Sequence, residues 1–182
     1  MTAFYPLVLS GTIIEELQTG DTIINVPNTN TANTFTATQT LSGSTASAAL
    51  LVPNINEIIT VSATAATGTI NYDITTQSVL YYTTNASGNF TVNVRASSGT
   101  TLNTLMATGN NISTSFLVTN GATAYYNSVV QVDGTTSGIT TKWQGGTAPT
   151  TGNASSIDVY NYVIIKTGSA TFTVLASQTK FA

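Results

Sequence analysis

The stretch Asn89-Phe90-Thr91-Val92-Asn93-Val94-Arg95 decides the fold class. Successive side chains of a strand point to opposite faces, so Phe90, Val92 and Val94 share one side while Thr91, Asn93 and Arg95 share the other. The same period of two recurs from Thr114 to Val118 through Phe116, and from Ser169 to Val174 through Ala170 and Phe172. Threonine is β-branched and stiff, and it suits the solvated side of such a strand.

Working outward, strands are expected near Leu7–Ile14, Thr22–Val26, Thr34–Thr40, Ala48–Val52, Glu57–Ala63, Thr69–Thr75, Val79–Thr83 and Phe90–Ala96. Further strands are expected near Leu102–Met106, Ile112–Thr119, Ala124–Tyr126, Val129–Val132, Thr140–Gln144, Ile157–Lys166 and Ala170–Ala176. Turn signals such as Asn120-Gly121, Asp133-Gly134 and Gly145-Gly146 separate them. No helical stripe runs beyond the single turn that Leu102, Leu105 and Met106 would allow. The pattern predicts an all-β chain: an antiparallel sandwich or barrel, with residues 31–182 enough for one β-sandwich domain and an extended N-terminal arm or strand pair over residues 1–30. An arm that short cannot bury a core of its own, so pairing with another chain or with the main body is expected. No sequence repeat appears at a spacing that would predict a solenoid or propeller.

Composition narrows function by exclusion. The chain has 182 residues, 41% of them apolar and only 6% charged, with no cysteine and no histidine. That removes disulfides, thiolate metal sites, cysteine nucleophiles and the commonest general base. No nucleophile elbow or phosphate-cradling glycine loop is present. Glu15 and Glu16 are adjacent and would face opposite sides of a strand. Asp73, Asp133 and Asp158 are scattered, and Asp133 precedes a glycine as hairpin aspartates do. Asp133 and Asp158 do not form a calcium loop. No catalytic, cofactor-binding or metal-ligating residue is therefore expected, and the chain reads as a non-enzyme. Arg95, Lys142, Lys166 and Lys180 are the only cations, too few and too scattered for nucleic acid or an anionic membrane. The start lacks a cationic region and a long apolar run of the secretory kind.

Aromatic and apolar residues supply the candidate contacts. Tyr81-Tyr82 and Tyr125-Tyr126 should each show one ring inward and one outward, and outward tyrosines suit proteins and sugars. Trp143, the only tryptophan, is expected on the face of Thr141 and opposite Lys142 and Gln144. It either plugs the end of the core or serves as a contact. The candidate interface is Tyr5, Leu7, Leu9 and Ile13 in the arm, with Tyr82, Tyr126 and Trp143 in the body.

Two stretches carry a resemblance. Tyr5–Thr22, YPLVLSGTIIEELQTGDT, resembles an N-terminal segment of structural and tail-associated proteins of tailed bacteriophages. Lys142–Pro149, KWQGGTAP, followed by IDVY at Ile157–Tyr160 and TFTVLASQT at Thr171–Thr179, is similar to the C-terminal β-module of phage virion proteins, especially those of marine phages. The resemblance implies a structural virion component on the particle surface, with a sandwich or jelly-roll body that assembles as a homotrimer. It implies no catalytic residues and no cofactor. Its short stand-alone members are capsid decoration, or cement, proteins bound to the major capsid protein or another virion protein. The alternative is a tail-associated receptor- or glycan-binding module.

Overall fold

The computed structural model describes residues 7–10, 13–16, 50 and 53–182. It divides into two compact units, Met1–Pro53 and Asn54–Ala182. The expected boundary after residue 30 and the strands expected between residues 22 and 52 lie outside the described residues.

In the first unit, β1 (Leu7–Ser10) pairs antiparallel with β2 (Ile13–Glu16). The single strand expected over Leu7–Ile14 is thus a strand pair. Ser10 stands opposite Ile13.

The second unit is an all-β sandwich. Its strands are β3 (Ile59–Ala65), β4 (Gly68–Asp73), β5 (Val79–Thr84), β6 (Phe90–Arg95), β7 (Asn111–Asn120), β8 (Asn127–Val132), β9 (Ile139–Trp143), β10 (Ser156–Gly168) and β11 (Thr171–Phe181). One sheet has the order β3-β5-β7-β10-β11-β9, and the other has the order β4-β6-β8. Pairing is mixed, which corrects the antiparallel, jelly-roll-like expectation. From β3 to β8 the chain changes sheet at every corner, so each strand meets the strand two places on, in parallel. Corner backbones continue these ladders: Ser87 N–H donates to the Ala66 carbonyl, and Ala86 N–H to the Thr119 carbonyl. The chain thus winds between the two sheets without a sequence repeat. Only β7–β10–β11 form an antiparallel run.

Period-two alternation places Ile70, Tyr72, Phe90, Val92, Val94, Val130 and Val132 of the smaller sheet inward. They meet Leu80, Phe116, Val118, Tyr160, Tyr162, Ile164, Phe172 and Val174 of the larger one, and all are buried. Phe90 stands edge-on to Phe116 and Tyr160, with ring centroids 5.5 and 5.8 Å apart. Such contacts add about 0.5–1.5 kcal/mol each beyond area burial. Asn127 ties the sheets together. Its Oδ1 accepts from the Tyr162 hydroxyl at 3.2 Å, and its Nδ2 donates to the carbonyls of Val129 and Phe90.

Two expected strands take other forms. Leu102–Leu105 is one helical turn, α1. Leu102 and Met106 are both buried while Thr104 between them is exposed, as a helical turn places them; a strand would put all three on one face. Ala124–Tyr126 is a loop, because the Asn120 side chain takes the place of a strand partner: its Oδ1 accepts from Tyr125 N–H at 3.0 Å and its Nδ2 donates to Tyr125 O at 3.1 Å.

Candidate interaction surfaces

Trp143 ends β9 with Ile139 and Thr141 on its face, as the alternation predicts, and packs on the margin of the core. Its ring meets Tyr160 edge-on at 6.4 Å. The chain then turns through Gly145 and Gly146, at φ of 77° and 82°, a region that side chains disfavour.

Behind this turn, the loop that leads to β10 is held by Asp158, whose carboxylate is fully buried. It accepts from Asn153 N–H at 2.9 Å, Asn153 Nδ2 at 2.6 Å, Asn120 Nδ2 at 3.1 Å and Gln178 Nε2 at 3.0 Å. Four neutral donors thus satisfy a charge buried without an ion-pair partner, the condition under which such burial is tolerated. Gly152 completes the loop, since any Cβ there would collide with the Tyr125 carbonyl oxygen.

Four more charges of the body, Asp133, Lys166, Arg95 and Asp73, are also engaged. Asp133, at φ 53° in its Asp-Gly turn, accepts from Leu102 N–H at 2.6 Å and Asn103 N–H at 2.9 Å, at the start of α1. Lys166, buried, donates to the carbonyls of Asn103 at 2.6 Å and Met106 at 2.8 Å, at its end. Arg95 forms a two-pronged ion pair with Asp73. A polar hollow of about 300 Å³ beside Arg95 and Asp133 is thus lined by charges that already have partners. Among the described residues, no three His, Cys, Asp or Glu side chains stand together as a metal site would need. No helix there is long and apolar enough to cross a membrane.

The remaining candidates separate. Tyr5 lies outside the described residues. Leu7 and Leu9 are on β1 and Ile13 is on β2. Tyr82 turns toward the core, edge-on to Phe116 at 5.5 Å, so the outward ring of that pair is Tyr81. Tyr126 is half-buried in the loop before β8, while Tyr125 packs on the core. The local pattern marks Asn120 as a turn residue but gives no structural role for Asn127, Asn153 or Gln178. The clue to Asn127 and Asn120 was an amide within or beside an apolar, strand-like run.

The two outer faces of the sandwich contrast. On β4-β6-β8, in-register pairing aligns Asn71 with Asn93 and Gln131, and Asp73 with Arg95. Asn93 Nδ2 donates to Asn71 Oδ1 at 2.8 Å, which makes a polar ladder. On the larger sheet, Val61, Tyr81, Leu117 and Val159 form an apolar row across four strands. Ile157 and Phe181 continue it side by side. Comparison with protein-family models, with curated proteins and with solved structures gives no match for this chain.

Proposed function

We propose that this chain is a structural protein of a tailed-bacteriophage virion, a homotrimeric capsid decoration protein bound to the major capsid protein on the particle surface. The observation that carries this reading is how the phage-like stretch Lys142–Tyr160 is used. Trp143 seals the margin of the core, Gly145 and Gly146 make the turn, Asp158 organises the loop, and Tyr160 is buried in the aromatic cluster. These groups hold a sheet end together, which supports a scaffold role over chemistry on a substrate. Gel densitometry of purified virions tests it. A decoration protein occurs at a copy number comparable to that of the major capsid protein. A band at the level of tail components would instead place it in the tail, and absence from the particle would reject the reading.

A further inference from the structure

β3 is built with its apolar side outward. Its register on β5 sets Thr60 opposite Leu80 and Ser62 opposite Tyr82, on the core side, and leaves Ile59 and Val61 outside. These two are 48% and 60% exposed. A one-residue slip would reverse the faces, so register normally follows burial of the apolar set. Here the paired backbone keeps the reverse arrangement. The outward apolar set runs on through Tyr81, Leu117 and Val159, with Phe181 56% exposed at the sheet end. Lys142, on β9 at the far edge, is the only charged side chain at an outward position of this sheet.

We infer that the outer face of the six-stranded sheet is where the chain associates with a second copy of itself. This rests on the self-association in the reading above and assigns it a surface. Six strands spaced at ~4.8 Å, with about seven residues each at ~3.3 Å, make a face of roughly 700 Å². That is close to the ~800 Å² per partner of a standard stable interface. Interfaces between identical chains are also the more apolar kind, with charged residues depleted at their centre. The one cation of this face, Lys142, sits on the edge strand β9, so the centre of the face meets a neighbouring copy without opposed like charges.

The test uses the full chain, whose mass is 18.8 kDa. Light scattering is expected to give a multiple of that mass for the wild type. The double variant Leu117→Lys, Val159→Lys is expected to fall to 18.8 kDa with its far-ultraviolet circular dichroism unchanged. Thr91→Lys, on the polar outer face, is expected to keep the wild-type mass. Because the chain has no cysteine, single-cysteine variants give a second readout that does not depend on the charged variant folding. Val159→Cys is expected to cross-link between copies on oxidation, and Gln131→Cys is not. A monomeric wild type, a double variant of unchanged mass, or cross-linking at position 131 and not at 159 overturns the inference. A self-associated wild type that is absent from virions overturns only the virion reading.

Discussion

Trp143 is half-buried against Tyr160 at the margin of the core. Trp143→Ala is therefore expected to destabilise the body by about 3 kcal/mol, read as a drop in melting midpoint. An unchanged midpoint with lost particle binding would make the ring a contact instead. Asp158→Asn turns an amide donor toward donors that now share a carboxylate, and is expected to cost about 3 kcal/mol in denaturant unfolding. Burial also holds three phenols neutral: Tyr72 is pushed up to about 12, and Tyr160 and Tyr162 are raised above the ordinary value. Their folded-state values lie above the unfolded one, so the stability they contribute is complete below about pH 10. It is lost as pH rises through the folded values. The expected outcome is alkaline unfolding in which tyrosinate absorbance from these three appears together with loss of structure. Normal titration of all tyrosines in a folded chain would contradict it.

At the scale of elements, α1 has only the four residues Leu102–Leu105, far too few to hold as a helix alone. It persists because Asp133 accepts from its first amides and Lys166 donates to the carbonyls at its end, charges of the sign that each terminus favours. Lys166→Met leaves two buried carbonyls without a donor. It is expected to cost about 2 kcal/mol and to speed hydrogen exchange at the Met106 amide, with β10 unaffected. Equal acceleration across β10 would mean that the lysine supports the sheet rather than the turn. The alternation of Phe90–Arg95 and of Ile112–Thr119 was readable because both strands have one core side. Leu102–Met106 was misread because its partners, Asp133 and Lys166, are 31 and 63 residues from Leu102 and Asn103 in sequence.

For the molecule as a whole, the proposed particle contact should be insensitive to salt. Exposed charges are screened beyond about 8 Å at physiological ionic strength, and the four cations are dispersed. Co-sedimentation with particles is expected to change little between low and moderate salt, and a steep loss would reveal a charge-driven contact. Removing residues 1–26 is expected to leave the sandwich melting as before, since its core is drawn from strands after Pro53. The same deletion should weaken particle binding. Undiminished saturation of particles by the shortened chain would dismiss the arm as a docking element.

The sequence by itself determined the β class, most strand positions after residue 58, the face that Trp143 shares with Thr141 and the turn at Asp133-Gly134. Period-two alternation, glycine and β-branched residues act locally, so local reading reaches them. It could not determine the pairing partners. Period two is the same in parallel and antiparallel strands, and a corner between two sheets uses the same short polar residues as a hairpin within one. Only the tertiary structure decided that β3 to β8 wind between two sheets, and that Asp158 gathers amides from Asn120, Asn153 and Gln178. It also decided that β3 turns Ile59 and Val61 outward, because that register depends on hydrogen bonds to a strand twenty residues away.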